Sequence, residues 1–351
     1  MKTGLRAALV ATVGAAALAF AGSALAAYTP HLTVNHTPLT LAGGGTTDLT
    51  ILFDQADDAT AKATIYVPQG YTGTLGVAAG TQVGTIDASI LASQISPTQP
   101  LPLKGVIQAD DPAKYAASGT QCTGAPTHDG VWLLRLQAAG TELAVPGYID
   151  TVTDPAEATL GKFKLQFCLP SPYIPQSAGG ATFGAKLVSA TLHLSNVFAL
   201  PAQNGSFGWT VVATPYIVGT ALPNATGTVQ ARAFVQLPAQ LTLKAKVKKK
   251  RATLSGALRL NLAGLAGQKV TLLAGSSRTK LKAAGSATTR GGGAYSFKKT
   301  VRKTTYFSAR VTVPVRAATC TGGVPGIPCA SATANGFTAQ SAIVKVTPRK
   351  R

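Results

Sequence analysis

Apolar and polar residues alternate along much of the chain after residue 30, and this period of two predicts short β-strands. Valine, isoleucine, threonine and aromatic residues are common in these segments, and such side chains fit a pleated, half-buried surface. Glycine, proline and asparagine clusters separate them, and only residues 87–94 predict a brief helix. Many short strands without helical partners favour an antiparallel β-sandwich. The strands predicted before residue 239 are 31–35, 47–53, 61–67, 131–136, 162–167, 185–194, 209–213 and 228–237.

Two segments between the predicted strands are unusually long. They are residues 96–129 and 171–180, and both are rich in proline, alanine and glycine. Loops of this length are more often functional or loosely ordered than neutral connections. We therefore predict that 96–129 is a long loop and a candidate binding element.

The segment 239–351 shows its own series of short strands. They are predicted at 241–247, 254–258, 262–275, 288–297 and 304–311, with a polar interval before the fourth. Gly291, Gly292 and Gly293 predict a hairpin turn that needs positive φ, because no lysine and hydroxyl residue follow them as in a phosphate loop.

This order of strands and glycine turns resembles the bacterial immunoglobulin-like and carboxypeptidase-regulatory-like (transthyretin-type) domains of exported proteins. The resemblance covers about 110 residues and implies a β-sandwich that acts as a spacer, adhesion or stability module. The carboxylates that often occur in such domains are absent here, so a calcium-dependent role of this domain is not expected. The expected fold is all-β, with two antiparallel β-sandwich domains at 27–238 and 239–351.

The N-terminus has the pattern of a cleaved signal peptide. Lys2 and Arg6 precede an apolar run over 7–21, and Ala24-Leu25-Ala26 has the small-residue pattern of a cleavage site. The alternative is an uncleaved anchor, but the run is shorter than the ~20 residues that span a bilayer. We predict a signal peptide at 1–26, no transmembrane span after its removal, and a secreted or cell-envelope location. The alanine- and glycine-rich composition is typical of a bacterial chain.

Four cysteines in an exported chain predict disulfide bonds. Three connectivities are possible. The positions favour Cys122–Cys168 and Cys320–Cys329, because the eight residues between the latter two contain glycines and prolines that must turn.

Charge is distributed unevenly. The chain has 32 lysines and arginines against 12 acids, all the acids lie between Asp48 and Glu157, and 22 of the bases lie from Lys244 onward. A one-sided basic field attracts polyanions, whereas the alternative is a solvated face that only aids solubility. The predicted partner is an anionic cell-wall or extracellular polymer and not a specific nucleic acid, because aromatic residues are not interleaved with the bases. The predicted polyanion-binding residues are Lys244, Lys246, Lys248, Lys249, Lys250, Arg251, Arg349, Lys350 and Arg351.

Candidate catalytic and metal-binding residues are few. No G-x-S-x-G motif occurs, and His128 beside Asp129 is the nearest approach to an acid–base pair. The four histidines lack metal-ligand spacing, and His31 and His36 are expected on opposite faces of one strand. We expect no catalytic residues, no metal and no cofactor. Calcium remains an alternative to solvated turn acids at Asp54, Asp57 and Asp58.

These observations favour a non-enzymatic exported envelope or surface protein whose basic C-terminal domain associates with anionic polymer. One alternative is a carbohydrate-binding module or weak carbohydrate-active enzyme in the N-terminal domain. It would use the 96–129 loop, with Trp132 and Trp209 as sugar-stacking platforms, whereas the alternative for both rings is a buried position in the core. Another is a structural spacer with no ligand. The sequence leaves the oligomeric state open.

Overall fold

A computed structural model describes residues 28–348 with the exception of Ala139. The predicted signal peptide at 1–26 and the basic residues Arg349, Lys350 and Arg351 lie outside the described residues. Strands dominate the described residues, and nearly all of their pairings are antiparallel. The all-β prediction is confirmed.

The strands fall into a long first series and a shorter second series. The first comprises β1 (His31–Thr37), β2 (Thr46–Leu52), β3 (Thr60–Val67), β4 (Thr72–Gly73), β5 (Gln82–Ala92), β6 (Ser96–Asp110), β7 (Gly130–Ala138), β8 (Thr141–Thr151), β9 (Phe163–Cys168), β10 (Ala185–Ser195), β11 (Phe198–Ala199), β12 (Gly205–Pro215) and β13 (Val229–Leu237). The second comprises β14 (Ala239–Leu241), β15 (Lys244–Lys248), β16 (Arg251–Leu260), β17 (Ala263–Gly264), β18 (Lys269–Gly275), β19 (Lys282–Thr288), β20 (Ala294–Thr300), β21 (Thr305–Val313), β22 (Arg316–Ala317), β23 (Cys329–Ala334), β24 (Phe337–Gln340) and β25 (Val344–Val346).

Helical structure is short and lies in the connections. The α-helices are α1 (Ala116–Thr123) and α2 (Pro155–Ala158), and 3-10 turns occupy Pro112–Tyr115, Gln176–Ala178, Thr182–Gly184, Ala225–Gly227 and Gly291–Gly293. The last turn carries positive φ at Gly292 and Gly293, so the predicted glycine turn before β20 is confirmed. Within the described residues, no helix combines the length and apolar character needed to cross a membrane.

Thirteen strands form one large sheet in the order β1-β2-β10-β5-β6-β7-β8-β9-β3-β12-β13-β23-β22, while β4 and β11 pair separately. Among the strands that the structure describes, only β13 and β23 pair in parallel. The strand β1 at one end of this order lies beside β23 near the other end. Thr333 Oγ1 donates to the Leu32 carbonyl (2.7 Å), and the Gly336 amide after β23 donates to Asn35 Oδ1 (3.0 Å). The sheet therefore curls around an interior, closed partly by side-chain hydrogen bonds.

An aromatic cluster fills one end of this interior. Trp209 lies 5.3 Å from Tyr71 and 5.6 Å from Phe198 between ring centroids, and Trp132 packs on the other side of Phe198. His36 joins the cluster, with hydrogen bonds to Thr47 Oγ1 (3.0 Å) and Tyr71 Oη (3.1 Å). Burial lowers the pKa of His36 to about 3, so this ring stays neutral inside the protein. His31 on the same strand is exposed, as its position predicts.

The remaining second-series strands form two five-stranded sheets. One joins β14, β16 and β15 with β17 and β20, and the other joins β19, β18, β21 and β24 with β25. Buried residues alternate with exposed ones along β16 and β20, as expected for sheets with one covered face. Their buried side chains include Leu254, Phe297, Leu272 and Val311, which belong to one apolar core that is continuous with that of the large sheet.

The predicted boundary between residues 238 and 239 falls between β13 and β14, where the chain leaves the large sheet. The chain then returns to it, because β23 pairs with β13 and β22 pairs with β23. Residues from both predicted segments thus build the large sheet. The division into two domains remains a prediction.

Three local predictions were wrong. Residues 87–94 are mostly strand, since Ile86, Ala88 and Ile90 alternate inward and β6 and β10 pair on both sides of β5. The predicted loop 96–129 begins with the 15-residue strand β6 and continues into α1. The prolines of β6 precede Lys104, where pairing with β7 begins, so they lie where the strand has one neighbour and a missing amide costs little. The polar interval after β18 is largely β19.

Both predicted cysteine pairs are at bonding distance. Cys122–Cys168 joins the end of α1 to the end of β9, and Cys320–Cys329 closes the loop between β22 and β23. Gln230 of β13 stabilises that loop, because its side chain accepts a hydrogen bond from the Val324 amide (2.9 Å) and donates one to the Ile327 carbonyl (2.7 Å). The disulfide framework predicted from the sequence is confirmed.

Candidate functional site: a basic groove

A concave groove of about 1330 Å³ lies where the β15–β16 hairpin meets β20. The strand register explains which side chains meet there. Lys246 pairs with Thr253, which pairs with Lys298, so two lysines flank a threonine across three strands. All three are exposed and lie on the face opposite the buried Leu254.

A second row of exposed side chains crosses the same strands two residues away. Lys248 pairs with Arg251, and Arg251 pairs with Thr300. Alternate residues of a strand are separated by roughly 7 Å, and neighbouring strands by roughly 5 Å. The two rows therefore present four cations and two hydroxyl groups in a regular array.

The hairpin turn at the end of the groove consists of Lys249 and Lys250. Lys249 has φ of 53°, a left-handed conformation that glycine or asparagine usually occupies in two-residue hairpins. A side chain there costs about 1–2 kcal/mol relative to the right-handed region. The Val301 amide donates to the Lys250 carbonyl (2.7 Å) and anchors the turn. The chain thus places a lysine at a position where its backbone is unfavourable.

No acidic residue within the segment 239–351 compensates these charges. Residues 239–351 contain no aspartate or glutamate, and the ion pairs of the described residues all lie between Asp48 and His193. The positive charge of the groove is therefore not offset by any acid of the segment 239–351. Its charged lining residues are Lys246, Lys248, Lys249, Lys250, Arg251, Lys298 and Lys299.

The structure brings together five of the nine residues predicted to bind polyanions. Lys244 is exposed on β15 but lies opposite Ser255 and outside the groove lining. Arg349, Lys350 and Arg351 fall outside the described residues. Sequence reasoning missed Lys298 and Lys299, which only the pairing of β20 with β16 brings beside the lysine run. Lys299 points the other way and donates to the Ala284 carbonyl.

The candidate acid–base pair has a different partner from the one predicted. His128 Nδ1 lies 2.9 Å from Asp150 Oδ2, while Asp129 accepts from the Thr151 amide (2.7 Å). The β7–β8 register places Gly130 opposite Ile149 and so brings Asp150 to the histidine. His128 Nε2 faces the Ala125 carbonyl at 3.1 Å, and the ring is buried. Nε2 also lies 3.3 Å from the Thr123 hydroxyl at the end of α1, and these contacts together fix the loop after α1.

The sugar-stacking prediction for Trp132 and Trp209 is contradicted. Both side chains are 0% exposed and belong to the aromatic cluster inside the large sheet. A ring that stacks on a sugar needs an accessible face. The feature on which the carbohydrate alternative depended is therefore absent.

The aspartates proposed as calcium ligands form a hydrogen-bonded turn. Asp57 is buried and accepts from the amides of Thr29 (2.9 Å) and Asp54 (3.2 Å). Asp54 in turn accepts from the Ala56 amide (3.0 Å). Over the described part of the chain, no group of three or more histidine, cysteine, aspartate or glutamate side chains is arranged to hold a metal ion.

His193 lies between two carboxylates on the outer face of the large sheet. Its Nδ1 is 2.7 Å from Asp48 Oδ1 and its Nε2 is 3.2 Å from Asp87 Oδ2. Partial burial alone lowers the pKa of His193, but the hydrogen bonds and charges of Asp48 and Asp87 outweigh it and raise that pKa overall.

Replacing His193 by asparagine is expected to destabilise the protein at acidic pH more than at alkaline pH. Because the folded-state pKa is raised, the contribution is fully present below the unfolded value of about 6.5 and is lost as pH rises through the folded value. The effect should be about 1 kcal/mol or less, since the pair is partly exposed and solvent-screened. Melting temperatures of both proteins at about pH 5.5 and about pH 8.5 measure it. A difference that is the same at both pH values would contradict the assignment.

Comparison with known proteins gives no family assignment. No family model matches the chain, and no curated protein matches it.

Proposed function

We propose that this chain is a non-enzymatic exported protein of the bacterial envelope or surface, and that its basic groove associates with anionic cell-wall or extracellular polymer. The observation that carries the proposal is the convergence of six cations from β15, its hairpin turn, β16 and β20 in one groove, in a segment without any acid. Export rests on the predicted signal peptide and is supported by the two disulfide-bonded cysteine pairs.

The geometry of the groove favours a polymer with repeated negative charges. Its two rows of cations are separated by roughly 7 Å along the strands, so successive charges of an extended polyanion can contact successive rows. Thr253 and Thr300 add hydroxyl donors beside the lysines. The strained Lys249 supports a functional use of the turn, since strained backbone concentrates at functional positions.

The lining favours a wall polymer over single-stranded nucleic acid. None of the groove residues is aromatic. Proteins that bind single strands combine basic grooves with aromatic side chains on which the bases stack. Binding here would therefore depend on charge and hydrogen bonds alone, which matches a polymer without bases.

Retention of the purified mature protein on immobilised wall teichoic acid across a salt series tests the proposal. If about five cations contact the polymer, affinity should fall roughly 100-fold between about 50 and about 200 mM salt, because each neutralised charge releases a counterion. Retention that is independent of salt would contradict charge-based binding. Tighter binding to single-stranded DNA than to the wall polymer would contradict the choice of partner.

A further inference from the structure

A cavity of about 240 Å³ lies inside the large sheet, at the end opposite the aromatic cluster. Neighbouring strands here are antiparallel, so the ends of some meet the beginnings of others at this end. The cavity lining comes from the ends of β2, β5, β7 and β9 and from the beginnings of β3, β8 and β10, with Leu103 of β6. It is composed almost entirely of aliphatic side chains, with Phe53 and Phe167.

The empty space follows from the sizes of the inward side chains. At the opposite end, Trp132 and Trp209 fill the interior with indole rings. At the cavity end the corresponding inward positions include Ala63, Ala88 and Ala190, and the last two face each other across β5 and β10. A sheet that closes around an interior either fills it with side chains or encloses a ligand space, and here small residues leave such a space.

The rim of the cavity carries polar groups that already have partners. Lys186 donates from Nζ to the carbonyls of Gln55 and Asp57, both at 2.7 Å. Glu142 accepts from Arg135 at 3.0 Å. Residues 169–184 run across this end and contribute Leu169, Pro170, Pro172, Ala181 and Thr182 to the lining. A charged ligand group would thus find no free counter-charge among the lining residues and would be desolvated at a cost.

We propose that this cavity binds an uncharged, linear aliphatic chain. A cavity of about 150 Å³ accepts the carbons of benzene, so by proportion this space accommodates roughly ten carbon atoms. The lining is mainly aliphatic, and its charged groups Lys186 and Glu142 already have partners and do not orient a compact polar ligand. This site is separate from the basic groove and independent of the polymer proposal.

Calorimetric titration of the protein with n-decanol tests the proposal, with decanoate as the charged counterpart. We expect n-decanol to bind and to raise the melting temperature, and decanoate to bind at least about tenfold more weakly at pH 7 because of its charge. Ala88→Leu with Ala190→Leu adds six carbons to the cavity and should weaken decanol binding at least about tenfold. The matched control is Ala283→Leu with Ala294→Leu at exposed strand positions, which should bind as the original protein does.

Leu187→Trp provides a second test if the double variant folds poorly. Leu187 lines the cavity, is only partly buried, and should tolerate a ring that blocks the opening. Neutral phosphatidylcholine vesicles identify the source of the chain. If the protein sediments with the vesicles and Leu187→Trp abolishes this sedimentation, the natural ligand is the chain of a membrane lipid. If the protein binds decanol but does not sediment with vesicles, the natural ligand is a free molecule. Absence of decanol binding, or equal binding by the filled and control variants, would overturn the proposal.

Discussion

Replacing Lys246, Lys248 and Lys298 by glutamine is expected to weaken binding to wall teichoic acid about 100-fold at low salt. Each cation near an anionic surface contributes about 1 kcal/mol, so three contribute about 3 kcal/mol, which corresponds to roughly 100-fold in affinity. The three side chains are exposed and make no ion pair, so the fold should be unaffected. Binding isotherms at several salt concentrations measure the effect, and the salt slope should fall by about 2 to 3.

The matched control removes the same charge from the other five-stranded sheet of the segment 239–351, which contains β18 and β19. Lys269, Lys280 and Lys282 are exposed on or between β18 and β19 and lie outside the groove. Their replacement by glutamine should reduce binding far less than the groove variant does. Equal losses in both variants would show that net charge, and not the groove, is responsible. Point variants are preferable to truncation near residue 240, because truncation would also remove β22 and β23 from the large sheet.

Replacing Trp209 by alanine is expected to lower the free energy of unfolding by about 3–5 kcal/mol, because it opens a cavity in the aromatic cluster. The ring is fully buried and packs on Tyr71, Phe198 and His36. Denaturant unfolding of the variant and the original protein measures the loss.

Trp209→Phe is the control for this loss. It retains an apolar ring and leaves a smaller cavity, so the loss should be smaller than that of Trp209→Ala. Native fluorescence should resist quenching by iodide, since both tryptophans are buried. A stable Trp209→Ala variant, or ready quenching of the native protein, would contradict the buried position and would restore the sugar-stacking alternative.

The sequence predicted the structure correctly wherever a feature depends on residues that are close together in the chain. Period-two segments such as 31–35 and 185–194 are strands because each has one buried face that the alternation marks directly. The cysteine pairs followed from spacing and turn residues, and the glycine turn before β20 from its need for positive φ. The basic run at 244–251 is a candidate site from the sequence because charge is visible in composition.

The predictions failed where a residue's role depends on distant partners. The prolines of β6 indicated a loop, and only the absence of a second neighbouring strand before Lys104 makes them compatible with a sheet. Asp129 seemed the partner of His128, but register brings Asp150 there instead. The local pattern does not specify register, either within the β7–β8 hairpin or between strands that are far apart in the chain.

The sequence by itself determined the all-β class, the disulfide framework and the concentration of positive charge in the last third of the chain. These properties depend on composition and on contacts between near neighbours. Tertiary structure alone decided that Lys298 joins the lysine run, that β23 returns to the large sheet, and that Ala88 and Ala190 leave a cavity while the indole rings fill the other end. The physical reason is that grooves and cavities arise from strand pairing and side-chain volume across long separations, which a local pattern does not encode.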